Sequence, residues 1–208
     1  QRICSIECGK HKNSGCAPLT VKTTNQSSMA VNCAATKYRW IVQFKTGVEC
    51  NATAGQWSSP NVSLASPEFT FQKPGVYDLM LVDSNACSKD VKTVQITVGG
   101  PPLVEMKALR NQCKLLPSNA IMPMDSIVKS CYSPLVASPY NWQFTSGSGT
   151  PSSSTALTPG TVTYTTVGDK TVTFAVTNGC GTTTDSYTFR IVDLPTVTLA
   201  YNNSPALC

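Results

Sequence analysis

The chain has 208 residues, long enough for one large or two small domains that each bury a modest core. Only 13% of residues are charged, and Thr, Ser, Val, Gly and Pro are abundant, which excludes a helical architecture and points to many short strands joined by turns. The formal charge of +5 is thinly spread, and Lys10, Lys12, Lys22, Lys37, Arg39 and Lys45 fall on different predicted elements, so nucleic acid is excluded as a partner.

In chain order, residues 1–15 form an N-terminal cysteine-containing segment. Cys16-Ala-Pro-Leu-Thr-Val21 follows, then Cys33, Tyr38-Arg-Trp40, Phe69-Thr-Phe71, Pro74-Gly-Val-Tyr77, Asn85-Ala-Cys87 and the strand pattern Val94–Val98. Gly99-Gly-Pro-Pro102 interrupts strand pairing and puts a domain boundary near residue 101. Leu103–Leu116 shows no consistent helical face. The second half then replays the first: Cys113, Cys131, Tyr140-Asn-Trp142, Tyr164, Val167–Val172, Asn178-Gly-Cys180 and Tyr187–Val192. Cys16 and Cys113 lie 97 residues apart, Cys33 and Cys131 98, Trp40 and Trp142 102, and Cys87 and Cys180 93. Four landmarks in one order at nearly one spacing mark two homologous domains, 16–101 and 102–194. After Pro195, the run Thr196, Val197, Thr198, Leu199, Ala200, Tyr201 alternates like a strand and leads to Cys208, as the residues after Pro102 lead to Cys113. Residues 195–208 are thus expected to be the first strand of a third copy, an unpaired template for joining another sheet. Thr145–Thr155 is a low-complexity, flexible connection.

The ten cysteines lack the paired short spacing of a zinc site, since Cys4 and Cys8 have no matching second pair with histidine. Disulfides are the better reading, and they place the chain in an oxidising, extracellular compartment. No leader and no apolar run long enough to cross a bilayer is present, so the chain reads as a mature or excised soluble segment without membrane insertion. The single histidine, His11, lies in the polar stretch Gly9–Gly15 with no neighbouring nucleophile pattern, and cysteines committed to bridges offer no thiolate. The carboxylates form no calcium loop; Asp83-Ser-Asn85 reads as a turn, and Glu68, Asp78 and Asp90 as surface charges. No enzyme, no cofactor and no metal site is expected.

The Tyr-x-Trp strand, the aromatic strand, Pro-Gly-x-Tyr, the alternating run Asp78–Asp83 and the Asn-x-Cys turn together resemble the PKD domain, an immunoglobulin-like sandwich. The resemblance covers residues 16 to 193, twice over, and the cysteine arrangement resembles tandem repeats of surface and gliding adhesins of Bacteroidota. It implies an all-β chain of two tandem immunoglobulin-like antiparallel sandwiches. The Trp-Asp-Phe-Gly-Asp run typical of PKD strands stands here as Trp40-Ile-Val-Gln-Phe44 and Trp142-Gln-Phe144, so no role tied to those acids carries over. Trp40 and Trp142 are expected in the sandwich cores.

In an immunoglobulin-like strand order the B–C and F–G loops share one end, which implies Cys33 with Cys87 and Cys131 with Cys180. Cys16 with Cys50 suits the opposite end. A competing arrangement joins Cys16 to Cys87 and Cys113 to Cys180; Cys4 with Cys8 is sterically tight. Cys113 is expected to pair with Cys208, or Cys208 with a neighbouring chain. Asn25, Asn51 and Asn61 are glycosylation sequons, Asn202 is a fourth weakened by a following proline, and Asp125-Ser126-Ile127 fits O-glycan addition at Ser126 in the resembled family.

These readings converge on an extracellular structural or adhesive repeat glycoprotein forming a stalk or filament at the cell surface. Its partner is itself, head to tail, or neighbouring repeats of a longer chain, with assembly through residues 195–208 by strand addition. The alternative is a carbohydrate-binding or accessory module of a secreted hydrolase, binding surface glycans through Trp57 as a stacking platform.

Overall fold

The computed structural model describes residues 6–7, 13–27, 37–51, 53, 57–58, 65–86, 88–114, 119–121, 126–144 and 148–200. Strand patterning rather than helix period governs them throughout. The first half holds β1 (Ile6–Glu7), β2 (Ser14–Cys16), β3 (Leu19–Lys22), β4 (Thr24–Asn25), β5 (Lys37–Thr46), β6 (Trp57–Ser58), β7 (Glu68–Phe71), β8 (Gly75–Ser84) and β9 (Lys89–Gly99). One sheet runs β2-β9-β8-β5 and the facing one β3-β7-β6, with β1 paired to β4. The second half holds β10 (Leu103–Met106), β11 (Gln112–Cys113), β12 (Asn119–Ile121), β13 (Ser126–Lys129), β14 (Leu135–Gln143), β15 (Ser153–Ser154), β16 (Val162–Tyr164), β17 (Gly168–Asn178) and β18 (Gly181–Val192). Its larger sheet runs β11-β18-β17-β14-β15, and β12-β16 and β10-β13 pair separately.

The two halves share one wiring. In each, a short strand joins the last long strand in parallel, β2 to β9 and β11 to β18, while the other pairings are antiparallel. That parallel edge beside antiparallel hairpins is the arrangement of an immunoglobulin-like sandwich, so β5 and β14 are the C strands, β8 and β17 the F strands, and β9 and β18 the G strands. The chain is two tandem sandwiches of this kind.

Period-2 burial builds each core. Along β8, Tyr77, Leu79 and Leu81 are buried while the residues between them are half-buried, and along β17 Val172, Phe174 and Val176 do the same. Trp40 pairs in register with Leu81 and Trp142 with Phe174, so each tryptophan meets the F strand at the same level. Trp142 stacks on Phe174 at 3.9 Å between ring centroids, and its indole N–H donates to the Ala156 carbonyl at 3.0 Å. Burial of so large a ring is stabilising only when that donor is satisfied.

Within the connection Thr145–Thr155, the described residues 148–155 take part in strand pairing. Ser153–Ser154 pairs with Trp142 and Gln143, and Thr150 bridges to Thr163. The backbone there serves as the sheet's edge and as the cover of Trp142, and low complexity does not prevent either use.

The two F strands open differently. Tyr77 is buried and its hydroxyl donates back to the Lys73 carbonyl at 3.0 Å, the bond of a tyrosine corner. Ninety-three residues on, the same inward position holds Lys170, 2% exposed, whose ammonium donates to Thr166 Oγ1 at 2.9 Å and to the Val167 carbonyl at 3.2 Å. Both side chains tie the strand to the corner upstream, one with a phenol and one with an ammonium that also lies 5.8 Å from the Tyr164 ring centroid. Burial raises the Tyr77 phenol above its ordinary pKa and pushes Tyr164 up to about 12. The Tyr164 hydroxyl has no hydrogen-bond partner among the described residues. Tyr77→Phe is therefore expected to lower the unfolding free energy by about 1 kcal/mol, the worth of an ordinary hydrogen bond. Tyr164→Phe is expected to leave it unchanged or raise it, and urea denaturation midpoints of the two variants check the contrast.

Candidate functional site: a cystine-braced junction

The polar chemistry concentrates where the sandwiches meet. After β9, Gly99 and Gly100 are both buried under the second sandwich, and Gly100 N–H donates to the Cys131 carbonyl at 2.9 Å. A Cβ at Gly99 would stand 3.0 Å from Cys180 Sγ and 3.1 Å from Ser133 Cβ; at Gly100 it would overlap the Pro74 ring. The absence of a side chain at Gly99 is what lets the second sandwich sit so close, while at Gly100 it leaves room for the Pro74 ring of the first.

Two cystines cross this junction. Cys16 at the end of β2 bonds Cys180 in the β17–β18 turn, and Cys50 bonds Cys131 in the turn before β14, each with Cα atoms 5.5 Å apart. This corrects the expected Cys131–Cys180 and Cys16–Cys50 pairs. Cys131 and Cys180 do share one end of the second sandwich, where Asn178 Nδ2 donates to the Ser130 carbonyl at 2.8 Å, and Gly179 N–H to the Pro134 carbonyl at 3.0 Å. That end abuts the first sandwich, so the nearest thiols lie across the junction. The competing Cys113–Cys180 pair is excluded because Cys180 is bonded to Cys16. Cys33–Cys87, Cys4–Cys8 and the partner Cys208 fall outside the described residues, as does Cys87 for the Cys16–Cys87 alternative, which Cys16 itself rules out.

Asn178 fastens the seam from within. Only 3% exposed, it donates to the Gly100 carbonyl at 2.7 Å as well as to Ser130, and its Oδ1 accepts the Cys180 N–H at 2.8 Å. One side chain thus holds the linker, the B–C turn and the cystine-bearing F–G turn together. Cys50 comes from an excursion the second sandwich lacks: Trp40 to Gly75 spans 35 residues, whereas Trp142 to Gly168 spans 26. The extra chain forms the short 3-10 turn Val48–Cys50. From it, Glu49 accepts a hydrogen bond from the Tyr132 hydroxyl, and that bond holds the carboxylate below its ordinary pKa. Burial first, and the carboxylate partner second, raise the Tyr132 phenol.

The remaining predicted positions are scattered. Asn51 is exposed with φ 61°, and half-buried Asn25 accepts the Ser27 N–H at 2.9 Å in β4. Ser126 begins β13, half-buried opposite Met106, and Asn61 lies outside the described residues. Trp57 sits on β6 opposite Phe71, and only its backbone is described. Asn85 accepts the Ser88 N–H at 2.9 Å in a turn. Glu68 pairs with Lys22 at 3.0 Å and Asp78 with Lys45 at 3.4 Å, so both stand in surface ion pairs. Residues 196–200 take no part in a ladder, with Val197 90% and Leu199 89% exposed; Tyr201 and Cys208 lie outside the described residues.

Among solved structures the chain is similar to the extracellular cadherin domains 1–5 of protocadherin gamma B2, at 8% identity and a TM-score of 0.48, covering 95% of this chain and 40% of that one. It is similar to the I-band fragment I67–I69 of titin at 16% identity and a TM-score of 0.38, covering 86% and 62%. A third likeness is to human protocadherin-24 EC1-2, at 9% identity and a TM-score of 0.44, covering 88% and 93%. The chain thus spans less than two thirds of the first two. No family model matches the chain, and no curated protein matches it.

Two outcomes test the seam. Asn178→Ala is expected to speed hydrogen exchange at the Cys180 amide by about tenfold or more, since that amide loses its buried acceptor. The depressed Glu49 carboxyl makes the tie to Tyr132 strongest above the ordinary carboxyl pKa of 4.5, and the tie is lost as pH falls through the lowered folded value. An NMR titration should show Glu49 protonating below 4.5 and shifting upward in Tyr132→Phe.

Proposed function

We propose that this chain is an extracellular structural or adhesive repeat module, a rigid segment of a cell-surface stalk or filament with no catalytic role. The observation that carries the reading is the pair of cystines across the sandwich junction. An ordinary interdomain contact of modest size permits hinge motion, whereas two covalent crossings together with the Asn178 clamp hold one orientation. A stalk needs such stiffness, since a flexible string projects a binding end poorly.

Disulfides of this kind persist only in an oxidising compartment, which supports an extracellular location. On the chain-entropy model, closing loops of 164 and 81 residues is worth roughly 5 and 4.5 kcal/mol taken separately, and less together because one loop nests in the other. The resemblance to PKD repeats of surface adhesins, the repeat itself and the strand-like run at residues 196–201 support assembly with further sandwiches by strand addition.

Small-angle scattering is expected to give a single narrow maximum dimension for the oxidised chain and a broader distribution for the Cys16→Ser, Cys50→Ser double variant. An oxidised chain already as broad as the variant would overturn the stalk reading. Deleting residues 195–208 is expected to abolish assembly seen by electron microscopy; unchanged polymers would remove the strand-addition step.

A further inference from the structure

We infer that the Cys16–Cys180 cystine is a thiol-exchange site: a small thiolate such as that of glutathione attacks Cys16 Sγ in the folded protein, becomes disulfide-bonded there and releases Cys180, while Cys50–Cys131 stays closed. The inference concerns the chemistry of the junction and stands whether or not the chain is part of a stalk.

The two cystines that cross the junction differ in access. Cys16 is exposed and Cys180 half-buried, whereas Cys50 and Cys131 are 6% and 5% exposed. Exchange requires a thiolate to reach a sulfur from the side opposite the bond that breaks, so an exposed cystine reacts faster than a buried one. Each cystine borders a cleft, of about 230 Å³ at Cys16–Cys180 and about 370 Å³ at Cys50–Cys131. Among the described residues, the first cleft has no charged side chain in its lining, which includes Ser14, Thr97, Tyr132 and Ser133. The second is lined by Glu49 and Lys129. The Glu49 carboxylate repels an arriving thiolate and Lys129 offsets that repulsion, so the difference in burial sets the order of reaction.

Within the exposed cystine the two sulfurs are also unequal. A Cβ at Gly99 would stand 3.0 Å from Cys180 Sγ, so the Gly99 backbone crowds that sulfur. Cys16 ends β2, the edge strand of its sheet among the described residues. Attack therefore falls on Cys16 Sγ. A bond forms between the thiol sulfur and Cys16 Sγ, the Cys16–Cys180 bond breaks, and its electron pair leaves on Cys180 Sγ, which takes up a proton. A second thiol then frees Cys16 and departs with the first as a disulfide. In its absence, the Cys180 thiolate attacks Cys16 Sγ again, expels the thiol and restores the brace.

Opening does not require either sandwich to unfold. Ser14, Gly15 and Cys16 remain paired with Thr97, Val98 and Gly99, and the Ala17 N–H still donates to the Gly99 carbonyl at 2.7 Å. Cys50–Cys131 and the Asn178 hydrogen bonds continue to join the two bodies. The junction passes from two covalent crossings to one, and thiol exposure sets which state is held.

The oxidised chain exposed to reduced glutathione, quenched with iodoacetamide at successive times and digested without reduction, tests this by mass spectrometry. The first product is expected to carry glutathione on Cys16 and the alkyl group on Cys180. Cys16–Cys180 is expected to open at least about tenfold faster than Cys50–Cys131 in the folded chain. In urea the two are expected to open at comparable rates, since burial in the folded state is what separates them. Glutathione found first on Cys180 would overturn the inference, as would a folded chain whose two cystines open together or whose Cys16–Cys180 pair resists glutathione as fully as Cys50–Cys131. An unchanged rate ratio in urea would also overturn it, because the difference would then owe nothing to the fold.

Discussion

Everything distinctive about this molecule depends on the covalent crossing of the junction between its two sandwiches. A sandwich of about ninety residues buries enough apolar surface to hold itself, so neither core needs a disulfide through its centre, and none of the described cystines lies there. The cystines stand instead where noncovalent forces are weakest, at the small contact between neighbours. Gly99 lets the sandwiches come close enough to be bonded, and Asn178 satisfies the backbone groups that such closeness strips of water. Loss of side chains at one place and a buried amide at another are parts of one device.

The comparison of the two copies separates what the fold requires from what it tolerates. Both keep a tryptophan on the C strand in register with an F-strand core residue, and both keep alternating apolar residues on the F strand. At the corner leading into that strand, one copy uses Tyr77 and the other Lys170. What is common is a long side chain whose polar tip turns back to the preceding turn; aromaticity is not. A buried lysine has to find acceptors, and the corner supplies two.

Much of this was legible in the chain itself. Period-2 alternation, the two tryptophans and the 93-residue step from Asn85-Ala-Cys87 to Asn178-Gly-Cys180 report local preferences and repetition, and the strand order and core positions follow. Lys170 carried no signal, because a charged residue in a strand reads as a surface residue until its neighbours are known. The brace was hidden for a related reason. Sequence places Cys131 and Cys180 near one end of a sandwich, but thiols bond by distance in space, and distance across the junction depends on how one sandwich docks on the next.

By itself, then, the sequence determined two disulfide-bearing sandwiches of one type, since those properties reside in residue pattern and spacing. Only the tertiary structure decided that the two described cystines, Cys16–Cys180 and Cys50–Cys131, run between the sandwiches. The physical reason is that a cystine requires Cα atoms within several ångströms, and the approach of Cys16 to Cys180 and of Cys50 to Cys131 is created by the docking of two separately folded bodies, with 164 and 81 residues of chain between the partners.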